Sequence, residues 1–447
     1  MKWAKLETWA KALAMRVSTL SRPKKLVLIF LAWLILAGAV SLLDWRADRV
    51  RRDFTAYSLQ ASRTLYAGGD PYAREEARTS YKYFPLNAVL LGPFTNLPIP
   101  VAQGIWTATN CFLLGFCLYA HRRWMPRDMR IPWWVWLVAL AIAGRFFIKN
   151  IRLGQWNTSV YCLSFLGLLA LHRAREVTGA LTLSLAAALK YMPSFFTLYW
   201  IARREWRKAL LVLLGLIFWI FVLPTVILGP TRHGELLEKY WAKATKQYKG
   251  MTEAEYTSSH SLRSTLVRLT SDVKPRLPDP DRYDVTLVRL DKNLARALGE
   301  AAAVLALGLA LLLTIWASRR ESFLPTEHRD LLLVGFWYVT LLMISPESRT
   351  PHFLTLFTPS FALALAASNP RYTPKMRRAL KTCLGAAIVF ALGNAEIFEH
   401  ARYHLIATGV GFYAWAQVTL AIGVFLALRG SVVSAHSSGD LPHFPRA

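Results

Sequence analysis

The sequence predicts an all-α, polytopic integral membrane protein, with about ten spans plus a re-entrant helical hairpin. Three observations predict it. The chain has 447 residues, 54% of them hydrophobic, and apolar runs long enough to cross a bilayer recur from end to end. The turns between those runs are basic on alternate sides, which is the charge asymmetry that orients membrane helices. Finally, Lys190 stands inside the apolar run Gly179 to Ile201, with a basic turn on either side of it. His172, Arg173 and Arg175 precede the run, and Arg203, Arg204, Arg207 and Lys208 follow it.

A lysine at membrane depth is costly and faces a partner or a wet cavity. Two basic flanks cannot both be cytoplasmic if the run crosses once. The segment 179–201 is therefore read as a broken hairpin that enters and leaves on one side. Pro193 marks the break, because proline cannot complete a helical hydrogen bond. Broken helices survive in a membrane where they line protein or a cavity, so the chain holds a polar site within its spans.

Taken in order, Lys2, Lys5, Lys11, Arg16, Arg22, Lys24 and Lys25 place the N-terminus in the cytoplasm. Leu26–Leu43 is the first span, retained as an anchor because Ala37-Gly38-Ala39 lies inside the apolar run rather than after it. An outer loop, 44–100, follows. Spans near 103–120, 131–148 and 158–171 come next, then the hairpin, then a span near 209–228. A second outer loop, 229–296, leads to spans near 297–316, 330–345, 353–368, 379–394 and 407–428. Their inner turns carry Arg319, Arg320 and Arg329, then Arg371, Lys375, Arg377, Arg378 and Lys381. Residues 1–430 form one transmembrane domain, and 431–447 a flexible cytoplasmic tail. The expected location is the cell membrane, multi-pass, with both termini inside.

The formal charge is +27. No basic domain stands apart, so the charge is assigned to membrane lipid headgroups and not to nucleic acid. Cys111, Cys117, Cys162 and Cys383 lie in apolar segments without metal-type spacing and read as packing residues. No phosphate loop, dinucleotide fingerprint or hydrolase elbow is present, and no cofactor is expected. Glu396, Glu399, His400 and His404 have a spacing that does not define a metal site, so no metal ligand is assigned.

With this topology the polar groups collect on the outer face. Asp53 follows the first span in Arg51-Arg52-Asp53-Phe54-Thr55-Ala56-Tyr57. It reads as a general base, or as a helix cap or arginine partner. The arginines of this loop (46, 49, 51, 52, 63, 74 and 78) read as headgroup contacts or as a phosphate-binding mouth. Gly68-Gly69-Asp70-Pro71 is a turn that shapes the loop. Arg152, Gln155 and Asn157 at the mouth of a span are hydrogen-bonding groups for a sugar or a phosphate. His260 and Arg263 lie in the second outer loop, and His352 closes Ser345-Pro346-Glu347-Ser348-Arg349-Thr350-Pro351. His352 can act as a general base, hydrogen-bond an acceptor, or bond to backbone.

These pieces in this order resemble glycosyltransferase family 87, the polyprenol-phosphate-mannose-dependent mannosyltransferases of the GT-C class. The carrying residues are Asp53-Phe54-x-x-Tyr57, Gly68-Gly69-Asp70-Pro71-Tyr72, and Tyr83-Phe84-Pro85-Leu86 with Trp106 and Asn110. Further along come Gln155-Trp156-Asn157, Ala188-Leu189-Lys190-x-x-Pro193, and Ser345-Pro346 before His352. The resemblance implies a GT-C-like fold and a sugar, mannose or a relative, moved from a polyprenyl-phosphate donor to a lipid or glycan acceptor outside the cytoplasm. It also implies that Asp53 is the catalytic base, acting with inversion. Bulky Trp156 and the Pro351-His352 pair depart from the family pattern and bear on the acceptor contacts. Arg52, Tyr57, Arg152, Gln155, Asn157, Lys190, His260 and Arg263 are the expected substrate-binding residues, with His352 beside Asp53 in catalysis. The competing reading is a transporter or flippase for a lipid-linked or anionic solute.

Overall fold

In the computed structural model, residues 21–48, 51, 53–73, 81–249, 259–273, 285–393 and 407–431 are described. Among them the chain is helical and carries no strand. Six of the described helices are long and apolar enough to cross a membrane. They are α1 (Val27–Arg46), α2 (Ile99–Trp124), α3 (Trp133–Leu153), α7 (Trp206–Leu228), α10 (Lys292–Ser318) and α14 (Phe412–Gly430). Between them lie α4 (Asn157–His172), α5 (Glu176–Leu189), α6 (Phe196–Ala202), α8 (Pro230–Lys249) and α9 (Leu262–Thr270). Then come α11 (Thr326–Ile344), α12 (Phe357–Ser368) and α13 (Pro374–Gly393). The expected spans at 158–171 and 353–368 correspond to α4 and α12, of only 16 and 12 residues. At about 1.5 Å per residue both are shorter than a hydrocarbon core of about 30 Å. They are inner helices, buried over most of their length.

The packing follows from residue size. α4 and α5 meet backbone to backbone because Gly167 and Gly179 face each other across the pair. A Cβ on Gly167 would stand 2.6 Å from the Leu183 nitrogen, and one on Gly179 2.6 Å from the Leu171 nitrogen. Small residues at such crossings replace the hydrophobic driving force that helices lack in lipid. Buried His121 of α2 ties three elements together. It stacks on Phe165 of α4 at 3.7 Å and reaches Thr358 Oγ1 of α12 at 3.1 Å.

α5 ends at Leu189, and Lys190 is extended, with φ −154° and ψ 117°. The helical break is therefore at Lys190, and Pro193 lies three residues on, in the 3-10 turn Met192–Phe195. Proline belongs there because the first turn of a helix does not use its N–H groups. Beyond α6, Arg203 returns to the far end of α4. Asp330 of α11 accepts from Arg203 Nη1 at 2.7 Å and lies 3.2 Å from His172 Nδ1. Arg207 pairs with Glu176 at 3.0 Å. Both flanks of the 179–201 segment thus lie at the His172 end of α4, and the Lys190 turn lies at its Asn157 end.

Candidate functional site

Asp53 opens a wide helical turn, Asp53–Leu59, which runs into the helix Gln60–Tyr66. A packed seam of aromatic rings holds it. Phe54 stacks on Trp106 of α2 at 5.1 Å, and Trp156 meets the same ring edge-on at 4.5 Å. The indole of Trp156 donates to Ser58 Oγ at 3.1 Å. Trp156 is thus buried beneath the Asp53 turn, and its bulk fills core space. Gly154 ends α3 in the left-handed region, at φ 71°. A Cβ there would stand 2.7 Å from the Cβ of Phe54, so only glycine lets the α3–α4 corner press against this turn.

Arg51 fixes the turn from the other side. Its backbone N–H donates to Gln103 Oε1 at 2.6 Å, and its guanidinium donates to Ile151 O at 2.5 Å and to Asp44 Oδ2 at 3.1 Å. Arg63 donates to the carbonyls of Thr95 and Leu97 at 3.0 and 2.8 Å. These two arginines serve the fold. Arg52, together with Arg49, Arg74 and Arg78, lies outside the described residues, as does the quartet Glu396, Glu399, His400 and His404.

Across the seam runs one line of hydrogen bonds. The Gln155 amide nitrogen donates to Asp53 Oδ2. Gln155 Oε1 accepts from Asn157 Nδ2 at 2.5 Å, and Asn157 Oδ1 accepts from Lys190 Nζ at 2.5 Å. Lys190 Nζ also lies 2.8 Å from His352 Nε2. Asn150 braces the line: it accepts from Asn157 Nδ2 at 2.9 Å and donates to Pro351 O at 2.7 Å. The second proton of the Asn157 amide is thereby used, so its orientation is forced. Two amide dipoles therefore point the same way, from an ammonium to a carboxylate, and polarise one another.

The charges at the two ends differ from ordinary ion pairs. Among the described residues neither Asp53 nor Lys190 forms a salt bridge; each bonds to neutral groups. Both are half-buried, as are Gln155 and His352, while Asn150 and Asn157 are buried. Burial, then the positive charges of Lys190 and Arg349, hold the His352 imidazole well below its ordinary range. Its Nδ1 lies 3.3 Å from the backbone N–H of Arg349, and its Nε2 faces the Lys190 ammonium. Tyr83 faces the same space; burial, then the Asp53 charge, pushes its phenol above the ordinary range, so it keeps its proton.

A sequence model of glycosyltransferase family 87 matches residues 81–346, more than half of the chain. The chain belongs to glycosyltransferase family 87. A relative from Mycobacterium tuberculosis is 26% identical over 368 residues, covering 77% of this chain and 78% of that protein. One from Mycolicibacterium smegmatis is 24% identical over 406 residues, covering 86% and 85%. Both are named polyprenol-phosphate-mannose-dependent alpha-(1-2)-phosphatidylinositol mannoside mannosyltransferase. Membership decides for an enzyme over the transporter reading.

Within this glycosyltransferase the hydrogen-bonded line joins Asp53, Gln155, Asn157, Lys190 and His352, drawn from four separate stretches of sequence. Tyr57 lies on the Asp53 turn, close enough to Tyr83 to interact electrostatically. The other expected contacts lie apart. Arg152 is exposed on the last turn of α3. Arg263 is buried and ion-paired with Glu300 of α10. His260 is buried edge-on against Tyr413 at 4.8 Å, and its backbone N–H donates to Ser348 O at 2.7 Å. It therefore supports the loop that carries His352. Asn150 and Tyr83 joined the site without having been assigned a role in it. Asn150 carried a signal, a polar residue late in an apolar helix; Tyr83 gave none beyond its motif. Gln103, which holds the Arg51 backbone, is short of any sequence signal because its partner is distant in the chain.

Proposed function

We propose that this enzyme transfers mannose from a polyprenyl-phosphate donor to a phosphatidylinositol mannoside acceptor, at the outer face of the cell membrane. The observation that carries the reading is the separated pair: among the described residues, a carboxylate and an ammonium that form no salt bridge and are joined by aligned amides. Family membership and the names of the two relatives support the donor and acceptor classes.

In this mechanism Asp53 takes the proton of an acceptor hydroxyl through the oxygen that Gln155 does not bind. The acceptor oxygen attacks the anomeric carbon from the face opposite the phosphate, the carbon–oxygen bond to the phosphate breaks, and configuration inverts. Polyprenyl phosphate leaves with its added negative charge beside Lys190. A preorganised cation at the point where charge develops lowers the barrier without reorganising at the moment of reaction. His352 holds the lysine by its lone pair and is engaged there, so it orients Lys190 and leaves proton removal to Asp53. Tyr83 donates toward the acceptor.

The same reading places the 179–201 segment as a re-entrant hairpin whose tip lies at the outer mouth. Residues 1–430 make a single domain of about ten spans with outer loops 44–100 and 229–296, and both termini and the tail 431–447 are cytoplasmic. The test is transfer by purified protein from labelled polyprenyl-phosphate mannose to a phosphatidylinositol mannoside. Asp53→Asn is expected to lower turnover by about a hundredfold or more with an unchanged melting temperature. Near-normal transfer by that variant removes Asp53 from the base role.

A further inference from the structure

A cavity of about 550 Å³ opens between α3, α12 and α13, at the end of α3 opposite Gln155. α3 has 21 residues, so roughly 30 Å of helix separates the two places. The wall is of two kinds. Val138, Leu384 and Ile388 make it apolar, whereas Arg377 and Lys381 stand together, one helical turn apart on α13. Gly385 continues that line, and a Cβ there would meet nothing within 4 Å. The space over Gly385 is therefore open.

Neither Arg377 nor Lys381 makes an ion pair among the described residues, and the Arg377 Nε is buried without a hydrogen-bond partner. A buried guanidinium nitrogen left unmet carries an uncompensated desolvation cost, which an acceptor in the groove would relieve. Trp133, 72% exposed, and half-buried Trp134 flank the mouth at the start of α3. Such rings mark the headgroup level of a bilayer.

We propose that this groove binds one anionic phospholipid. Its phosphate lies against Arg377 and Lys381, and an acyl chain runs over Gly385 between Val138, Leu384 and Ile388. Charge selects the headgroup, and the apolar walls select a lipid over free phosphate. The inference rests on the reading of the chain as a membrane protein and not on the chemistry at Asp53, so either can fail alone.

The experiment is thermal unfolding of the delipidated, detergent-solubilised full chain, titrated with phosphatidylglycerol, phosphatidylcholine or glycerol 3-phosphate. Phosphatidylglycerol is expected to stabilise at concentrations at least about tenfold lower than phosphatidylcholine, since two basic groups attract its charged headgroup. Glycerol 3-phosphate, which has the charge without the chain, is expected to have no effect. Arg377→Gln with Lys381→Gln should erase the preference between the two lipids. Gly385→Leu, which fills the chain path and favours helix, should weaken both lipids while leaving lipid-free melting no lower. Equal stabilisation by the two lipids in the parent chain overturns the proposal, as does an unchanged preference in the double variant or an equal effect of glycerol 3-phosphate.

Discussion

The two ends of α4 hold charged clusters of opposite design. At the His172 end, Asp330 is met by Arg203 at 2.7 Å and His172 at 3.2 Å, and Arg203 also pairs with Glu205 at 2.8 Å. Each acid has a base in contact, and Trp124 covers His172 at 5.0 Å. At the Asn157 end, the acid and the base are kept apart by the side chains of Gln155 and Asn157. A closed pair has no charge left for a ligand, whereas a divided pair offers a proton acceptor and an anion site within one hydrogen-bonded line. The closed cluster braces the fold, and in the proposed mechanism the divided one does the chemistry.

The contrast can be broken most strongly at its closed end. Asp330→Asn leaves half-buried Arg203 with Glu205 alone and takes the anion from His172, and breaking a buried pair costs up to about 3–5 kcal/mol. A large drop in melting temperature and in yield is expected, measured by thermal unfolding in detergent. If Asp330→Asn instead melts like the parent and loses transfer, the assignment of the two ends is reversed. At the divided end Lys190→Met should fold normally and raise the KM for the polyprenyl-phosphate donor by roughly tenfold or more, about 1.4 kcal/mol. Unchanged donor dependence would make the lysine a structural residue.

The smallest effect is one of pH. The folded His352 is held below its ordinary value, so the unfolded chain binds the extra proton first as pH falls. Its contribution is fully present above about pH 6.5 and is lost as pH drops from there toward the folded value, by at most about 1.36 kcal/mol per unit. His352→Gln keeps an acceptor for Lys190 and cannot titrate. Between pH 7.5 and 5.5 the parent should lose more melting temperature than the variant; parallel curves would show that His352 is not buried neutral.

The segments most legible in the sequence are those that face outward. α1 and α7 carry runs of exposed Leu, Ile and Phe, and lipid-facing helices must be apolar on most of their surface. The inner helices were harder to place. α11 hides His328 and Asp330 in an apolar stretch, and α4 and α12 are shorter than a bilayer. Protein neighbours satisfy such helices, so neither length nor hydropathy has to match lipid.

The sequence by itself determined that Lys190 needs a partner, because an ammonium in an apolar run has a cost visible without coordinates. It also set the helical class, through the length of the apolar runs, and the aromatic residues of the Asp53 seam were already in the motifs. Only the tertiary structure decided who meets whom. Gln155 turns inward and Arg152, three residues earlier, is exposed, because the left-handed Gly154 reverses the chain between them. Lys190 reaches Asn157 because Gly167 and Gly179 bring α4 and α5 into backbone contact. Spacing along a chain states which chemistry is carried, but a hydrogen bond about 3 Å long is set by how helices pack.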